Sequence, residues 1–336
     1  MYKNKTLIIA EIGCNHNGSF KLALKHIDQA IKAGANAVKF QIFKPENLVT
    51  KNTSKAPYAL KMTKSFKDQL TMQKKIMFNF EYFIKLKKYC KKKRIKFLCS
   101  AFDLESLHFL KKIGVSKFKI PSGEIDNFPL LKHIGRFKKK IILSSGMSSL
   151  SDVSYAIRIL NRFGTPKKNI TVLHCNTEYP TPLENINLKA MQTIRKKLGV
   201  DVGYSDHSLG TIVPVIATAL GASIVEKHFT LNKNSKGPDH RSSLNPKELK
   251  EMVQKIRNTE RILGSYNKKP SKGELKNIKI VRKSIVAIAE IEKGETFSEK
   301  NISTKRPANG ISPKLWNKVI GKKARRDFAE DEVIKL

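Results

Sequence analysis

At 336 residues and 40% apolar content, the chain can bury one large core and a small one, and no apolar run approaches the ~18 residues that a membrane span needs. A net charge of +38, with a pI near 10.1, invites nucleic-acid binding. However, the net positive charge is spread at nearly the same density on either side of Tyr266, and short runs such as 91–94 and 138–140 carry no interleaved aromatics for base stacking. The charge is therefore read as a lysine-rich surface that draws in anionic substrates, with no nucleic acid and no membrane as partner. A basic nucleic-acid-binding protein is the rival from a different class, and it would bind duplex DNA with a steep salt dependence.

The first strand is predicted over residues 6–13 (TLIIAEIG), followed by an amphipathic helix over 20–33 that Gly34 stops. The second strand covers 37–43 (AVKFQIF). A long polar segment, 44–75, then precedes a helix over 80–92, and its length suits a functional loop. Strand and helix alternate from there: 96–102 with 104–113, 117–123 with a short helix at 129–134, 140–146 with 151–163, and 170–176 with 188–198. The seventh and eighth strands begin at 201–204 and 222–225, joined by an apolar crossover helix over 210–221, and the last helix covers 246–263. Eight such units in about 263 residues predict a (β/α)8 TIM barrel rather than a doubly wound open sheet.

Nearly every predicted strand delivers polar residues at its C-terminal end. They are Glu11 and Asn15, Lys39 and Gln41, Ser100, Lys119 with Ser122 and Glu124, Ser144 and Ser145, Asn176 and Tyr179, Ser205 with His207, and Glu226 with His228. In a barrel those ends share the face where such folds do chemistry. Lysines beside a bed of serines suit a phosphate and a carboxylate held together, since ammonium groups neutralise charge while hydroxyls and amides supply short directed donors. Glu11 and Glu124 are the carboxylates best placed for proton transfer, with salt bridges to Lys39 or Lys119 as the alternative. His207 and His228 end neighbouring parallel strands, near Asp206, Glu226 and Asp239, and could together hold a divalent ion; each could equally satisfy a buried hydrogen bond. A Ser-His-Asp hydrolase at YSDHS is disfavoured, because no GxSxG elbow is present and adjacent residues of a strand point to opposite faces.

The cysteines, Cys14, Cys90, Cys99 and Cys175, have no CxxC spacing and are expected to be free thiols. The N-terminus MYKNKTLIIAEIG enters a strand without a signal-peptide layout, so a cytoplasmic location is expected. Past Gly264 the composition turns polar and lysine-rich. The expected organisation is a barrel over 1–265, a linker over 266–280 and a small β-rich unit over 281–336 without a large core of its own.

The ordered motifs AEIGCNHNGS, AVKFQ, KIPSGE, ILSSGM, LHCNTEYPTP, GYSDHS, EKHFT, GPDH and KRPANGISP resemble the bacterial sialic acid synthases, the phosphoenolpyruvate-dependent N-acetylneuraminate synthase family, over essentially the whole chain. The terminal segment resembles the family's antifreeze-like (SAF, β-clip) module. The resemblance implies condensation of phosphoenolpyruvate with the open-chain aldehyde of N-acetylmannosamine, giving N-acetylneuraminate and phosphate. The alternative acceptor is a 2,4-diacetamido sugar, leading to legionaminate or pseudaminate. It also implies a domain-swapped homodimer in which the small module of one chain closes the barrel of the other.

Carried over residue by residue, the resemblance gives His207 and His228 as ligands of a divalent ion, Mn2+ before Mg2+ or Co2+, which would polarise the aldehyde oxygen and orient water. It gives Lys39, Ser100, Lys119, Ser122, Ser144, Asn176 and Ser205 as the phosphoenolpyruvate shell. Glu11, Gln41, Tyr179 and Asp239 are implied as sugar contacts, with Arg306 arriving from the partner, and Glu124, Glu11 and Lys119 as catalytic groups. The sequence departs from the pattern at Ser100, where many members have threonine, at Thr177, where some have a binding asparagine, and at residues 55–61, where KAPYALK replaces KAEYQ and introduces Pro57 and Ala59.

Overall fold

A computed structural model of the protein describes residues 5–50, 53 and 68–336; the KAPYALK departure at 55–61 lies outside the described residues. Eight parallel strands close into a barrel in sequence order: β1 (Leu7–Gly13), β2 (Ala37–Ile42), β3 (Lys96–Ala101), β4 (Lys117–Ile120), β5 (Lys140–Ser144), β6 (Ile170–His174), β7 (Asp201–Asp206) and β8 (Ile224–His228). β8 closes on β1, with Glu11 paired to His228, so closure itself brings the first and last strand ends together. The expected barrel is thus the observed one. The last two strands run further than the apolar runs alone indicated, because Ser205, Asp206, Glu226 and His228 continue the pairing.

Side-chain alternation sets the interior. Ile9, Ala37, Leu98, Ile142, Leu173 and Ile224 form an apolar cluster of their own. Two residues on along the same strands stand Glu11, Lys39, Ser100, Ser144, Cys175 and Glu226, and a period of two keeps each on the same face as its predecessor. The interior therefore changes within one layer from aliphatic to charged. The other parity of the strands, including Ile8, Ala10, Val38, Phe40 and Val202, packs against helices in the main core. Several of those helices start on side-chain caps: Ser19 accepts from Leu22 N, Asp103 from Ser106 N, and Ser149 and Asn245 form capping boxes with Asp152 and Glu248. Each such cap contributes about 1 kcal/mol.

On that outward parity one ion pair is fully enclosed. Lys227 Nζ donates to Asp206 Oδ2 and to the Ser208 carbonyl oxygen, each at 2.5 Å, while Asp206 Oδ1 accepts from Ser208 N and Oγ. Both side chains are completely buried. The pair ties β7 to β8 directly behind His207 and His228.

The chain divides into two compact units, Met1–Gly264 and Ser265–Leu336. In the second, β9 (Ser284–Ala287) pairs antiparallel with β10 (Ile302–Lys305), and Ile285, Ala287, Ile291, Phe297, Ile302, Val319, Ala324, Phe328 and Ile334 give it a small core. The stretch expected as linker, 266–280, instead carries most of a helix, Lys272–Val281, started by a Ser271–Glu274 capping box that the lysine-rich composition masked. Likewise, the long segment after β2 contains the helices Pro45–Leu48 and Gln69–Ile76. Among the described residues no helix is long and apolar enough to cross a membrane, and all four cysteines are free and buried.

Replacing Lys227 with Met leaves Asp206 in the core without its cation. A loss of about 3–5 kcal/mol in unfolding free energy is expected in urea denaturation, and an unshifted midpoint would contradict the assignment of this pair as the β7–β8 tie.

Candidate active site

The C-terminal rim of the barrel opens on a cleft of about 270 Å³, walled by residues from all eight strands or the loops that follow them and by the segment after β2. At its base Glu226 is the hub. Its Oε1 lies 3.3 Å from Lys119 Nζ, 3.5 Å from Lys39 Nζ and 3.2 Å from Ser205 Oγ, which donates to it. Lys39 also meets Glu11 Oε1 at 2.9 Å and donates to Ser100 Oγ at 3.2 Å, while Lys119 donates to Ser144 Oγ at 2.8 Å. Two ammonium groups, two carboxylates and three hydroxyls thus share one buried layer.

The two carboxylates differ in charge state. Burial favours the neutral form of both, but Glu226 lies between Lys119 and Lys39, and their attraction holds it down at about 2. Among the described residues Glu11 forms an ion pair only with Lys39 and also faces the Glu226 charge, so burial prevails and lifts it to about 7. Glu11 therefore carries a proton part of the time at neutral pH. Burial pulls Lys119 below the usual lysine range, whereas on Lys39 burial is outweighed by the attraction of Glu11 and Glu226, which raise it.

Above this layer stand the two histidines, with ring centroids 5.4 Å apart, and Tyr179 lies 4.2 Å from the His207 ring. Burial lowers His207 to about 4, and burial together with His207 keeps His228 well below the normal histidine range, so both are neutral. His207 Nδ1 donates to the Asn176 carbonyl oxygen at 2.5 Å, which fixes the tautomer and leaves Nε2 with a lone pair. His228 Nδ1 is buried without a hydrogen-bond partner among the described residues, 3.8 Å from Asp239 Oδ2. Burial raises Asp239 to about 6, and it accepts from Cys14 Sγ at 3.4 Å. Two neutral imidazoles on one rim, one with an orphaned nitrogen, fit a divalent ion that keeps open positions. No group of three or more histidine, cysteine or acidic side chains is gathered for a metal among the described residues.

Two glycines make the floor possible. Gly13, at φ +54°, sits where the β1–β2 register slips, and a Cβ there would press on Glu11 Oε1 and the Gln41 amide. Gly146, also at φ +54°, packs so tightly that a Cβ would lie 2.3 Å from Ser122 Cβ. Only glycine lets the SSG turn after β5 touch Ser122.

Of the residues singled out from sequence, Glu11, Lys39, Gln41, Lys119, Ser122, Ser144, Tyr179, Ser205, His207, His228 and Asp239 line the cleft. Ser100 stands behind Lys39, and Asn176 behind His207 through its backbone carbonyl, with its side-chain amide donating to the Asn185 carbonyl oxygen. Glu124 does not line the cleft; its Oε2 accepts from Asn127 Nδ2 at 2.6 Å in a 3-10 turn, and burial raises its pKa. Arg306 is exposed just past β10 in the second unit. Glu226, expected at the rim and near the metal but given no catalytic or binding role from sequence, also lines the cleft, and its parity with His228 marked it as inward-facing. Sequence reasoning named Cys14 and Cys175 only as free thiols and did not single out Met72, Gln73 or Phe102, all of which line the cleft.

Residues 26–268 match the NeuB family model, and residues 282–336 match the SAF domain model. The chain belongs to the NeuB family. It is 50% identical to the N,N'-diacetyllegionaminic acid synthase of Campylobacter jejuni, across 98% of this chain and 99% of that relative, and 35% identical to a pseudaminic acid synthase of the same organism, across 98% and 96%. Among solved structures, the N-acetylneuraminic acid synthetase of Leptospira borgpetersenii superposes with a TM-score of 0.72 at 36% identity, over 82% of this chain and 90% of that one. The resemblance read from the motifs and the barrel-plus-SAF architecture are both borne out, and this NeuB-family chain has sugar-acid synthases as its relatives.

The Gly146→Ala variant should lose about 2 kcal/mol or more of stability, from the left-handed backbone and from the clash with Ser122. Thermal melting checks this, and an unchanged melting temperature would show that the turn can yield.

Proposed function

We propose that the protein joins phosphoenolpyruvate to the open-chain aldehyde of a 2,4-diacetamido sugar, giving a nine-carbon diacetyllegionaminate-type acid and inorganic phosphate. The observation that carries the acceptor is the 50% identity, end to end, with an N,N'-diacetyllegionaminic acid synthase. It favours the second of the two acceptors considered from sequence over N-acetylmannosamine. The donor rests on the buried Lys39–Lys119 pair with its ring of hydroxyls, a site made for a small polyanion.

In this reading the methylene carbon of the donor forms the new bond to the aldehyde carbon. Positive charge develops at donor C2, water adds there, and the bond from C2 to the phosphate oxygen breaks. Lys39 and Lys119 hold the anionic donor, and Glu226 keeps the two ammonium groups at a fixed spacing and stays ionised next to the developing positive charge. Glu11, protonated part of the time near neutrality, gives a proton to the aldehyde oxygen and recovers one from the added water. Gln41 orients Glu11 through its amide at 3.1 Å. A divalent ion, Mn2+ foremost, is part of the proposal, with His207 and His228 to hold it; when bound it supplies Lewis acidity beside the cradle. The proposal also includes a homodimer in which Arg306, exposed on the second unit, serves the sugar of the partner protomer.

Phosphate release from phosphoenolpyruvate, measured with Mn2+ and each sugar in turn, tests this. Turnover is expected with the 2,4-diacetamido sugar at a kcat/KM at least about 10-fold above that for N-acetylmannosamine, abolished by EDTA and restored by Mn2+. A preference for N-acetylmannosamine would overturn the acceptor, release with neither sugar would overturn the reaction, and full activity in EDTA would overturn the metal.

A further inference from the structure

The cleft has a wall that the condensation chemistry does not use. The helix Gln69–Ile76, capped by Asp68 accepting from Thr71 N at 2.7 Å, presents Gln69, Met72, Gln73 and Ile76 to the cleft. Their i, i+3, i+4, i+7 spacing puts all four on one helix face. Met72, Gln73 and Ile76 are buried, and the Oε1 atoms of Gln69 and Gln73 are enclosed without a hydrogen-bond partner among the described residues. A polar group left in that state costs stability until something pairs with it, so two unpaired carboxamide oxygens on the helix face that lines the cleft point to a bound partner.

The partner's chemistry follows from what stands next to them. Each carboxamide offers a donor and an acceptor, matching the N–H and C=O of a secondary amide. Met72 and Ile76 alternate with the glutamines, and Leu48 and Phe43 also line the cleft, giving apolar surface for a methyl group. Amide and methyl side by side describe an acetamido group better than a hydroxyl, which would leave the apolar side chains without a counterpart.

Place decides which acetamido group. Lys119, His207 and His228 stand on barrel strands or directly at their ends, whereas the helix belongs to the long segment after β2 and lines the same cleft from outside the barrel strands, a place for a substituent other than the reacting aldehyde. It also packs against the loop after β1. Phe78, two residues past its end, stacks on His16 at 3.9 Å, Lys74 pairs with Glu46 at 2.9 Å, and Gly18, at φ +72°, makes room for the Lys75 carbonyl oxygen.

We propose that Gln73, supported by Gln69, receives the acetamido group on carbon 4 of the acceptor, with its methyl against Met72 and Ile76, and so selects diacetamido over monoacetamido sugars. This deepens the reading above and rests on it.

The test compares kcat/KM for the 2,4-diacetamido sugar and for N-acetylmannosamine in the unaltered protein, in Gln73→Met and in Gln69→Met, changes that keep side-chain length and helix propensity while removing the amide. Gln73→Met should lower kcat/KM for the diacetamido sugar about 10- to 100-fold, mainly through KM, and leave that for N-acetylmannosamine within about 3-fold. Gln69→Met should give the same contrast at smaller size, and it serves as the readout if the first variant does not fold. A parallel fall with both sugars, or no change with either, overturns the assignment while leaving the reaction intact. If the unaltered protein turns over neither sugar, the reaction itself fails and the assignment fails with it.

Discussion

The site depends on a carboxylate that keeps two buried ammonium groups together. Lys39 and Lys119 reach the same interior layer from different strands, and without Glu226 between them their repulsion and desolvation would push one out of the barrel or strip its proton. Glu226 answers both problems with one oxygen, and its own charge is held by the lysines it serves. The result is a cation-rich floor that exists before any substrate arrives, the condition under which electrostatics lowers a barrier without reorganisation.

That floor is affordable only because of what lies under it and behind it. One layer down, Ile9, Leu98, Ile142, Leu173 and Ile224 close the barrel with aliphatic side chains, which keeps water from entering from below. On the outer parity of β7 and β8, the Lys227–Asp206 pair locks the two strands whose ends carry the histidines. The same alternation that directs Glu226 and His228 inward directs Lys227 outward, so one short sequence, EKH, supplies the hub, the tie and an imidazole.

This accounts for how much was legible in the chain beforehand. The eight strands were visible as apolar runs, and their polar termini named about half of the cleft, because in a closed barrel topology alone converts a strand end into a rim position. Glu226 was undervalued because its partners, Lys39 and Lys119, are distant in sequence and meet it only when β8 closes on β1. The wall formed by Gln69, Met72, Gln73 and Ile76 was hidden in a polar stretch, where an eight-residue helix gives too few turns for periodicity to stand out. The helix Lys272–Val281 was obscured in the same way, by lysines that suit both a linker and a solvated helix face. Glu124, flagged for its place after β4, turned out to be engaged by Asn127, a local contact that no spacing rule anticipates.

The claim that the paired ammonium groups form the donor's cradle is tested most directly by calorimetric titration of phosphoenolpyruvate into the protein and into its Lys119→Met variant, in the absence of any sugar. Loss of one charge-assisted partner should weaken binding about 10- to 100-fold. An unchanged dissociation constant in a variant that melts normally would contradict the account.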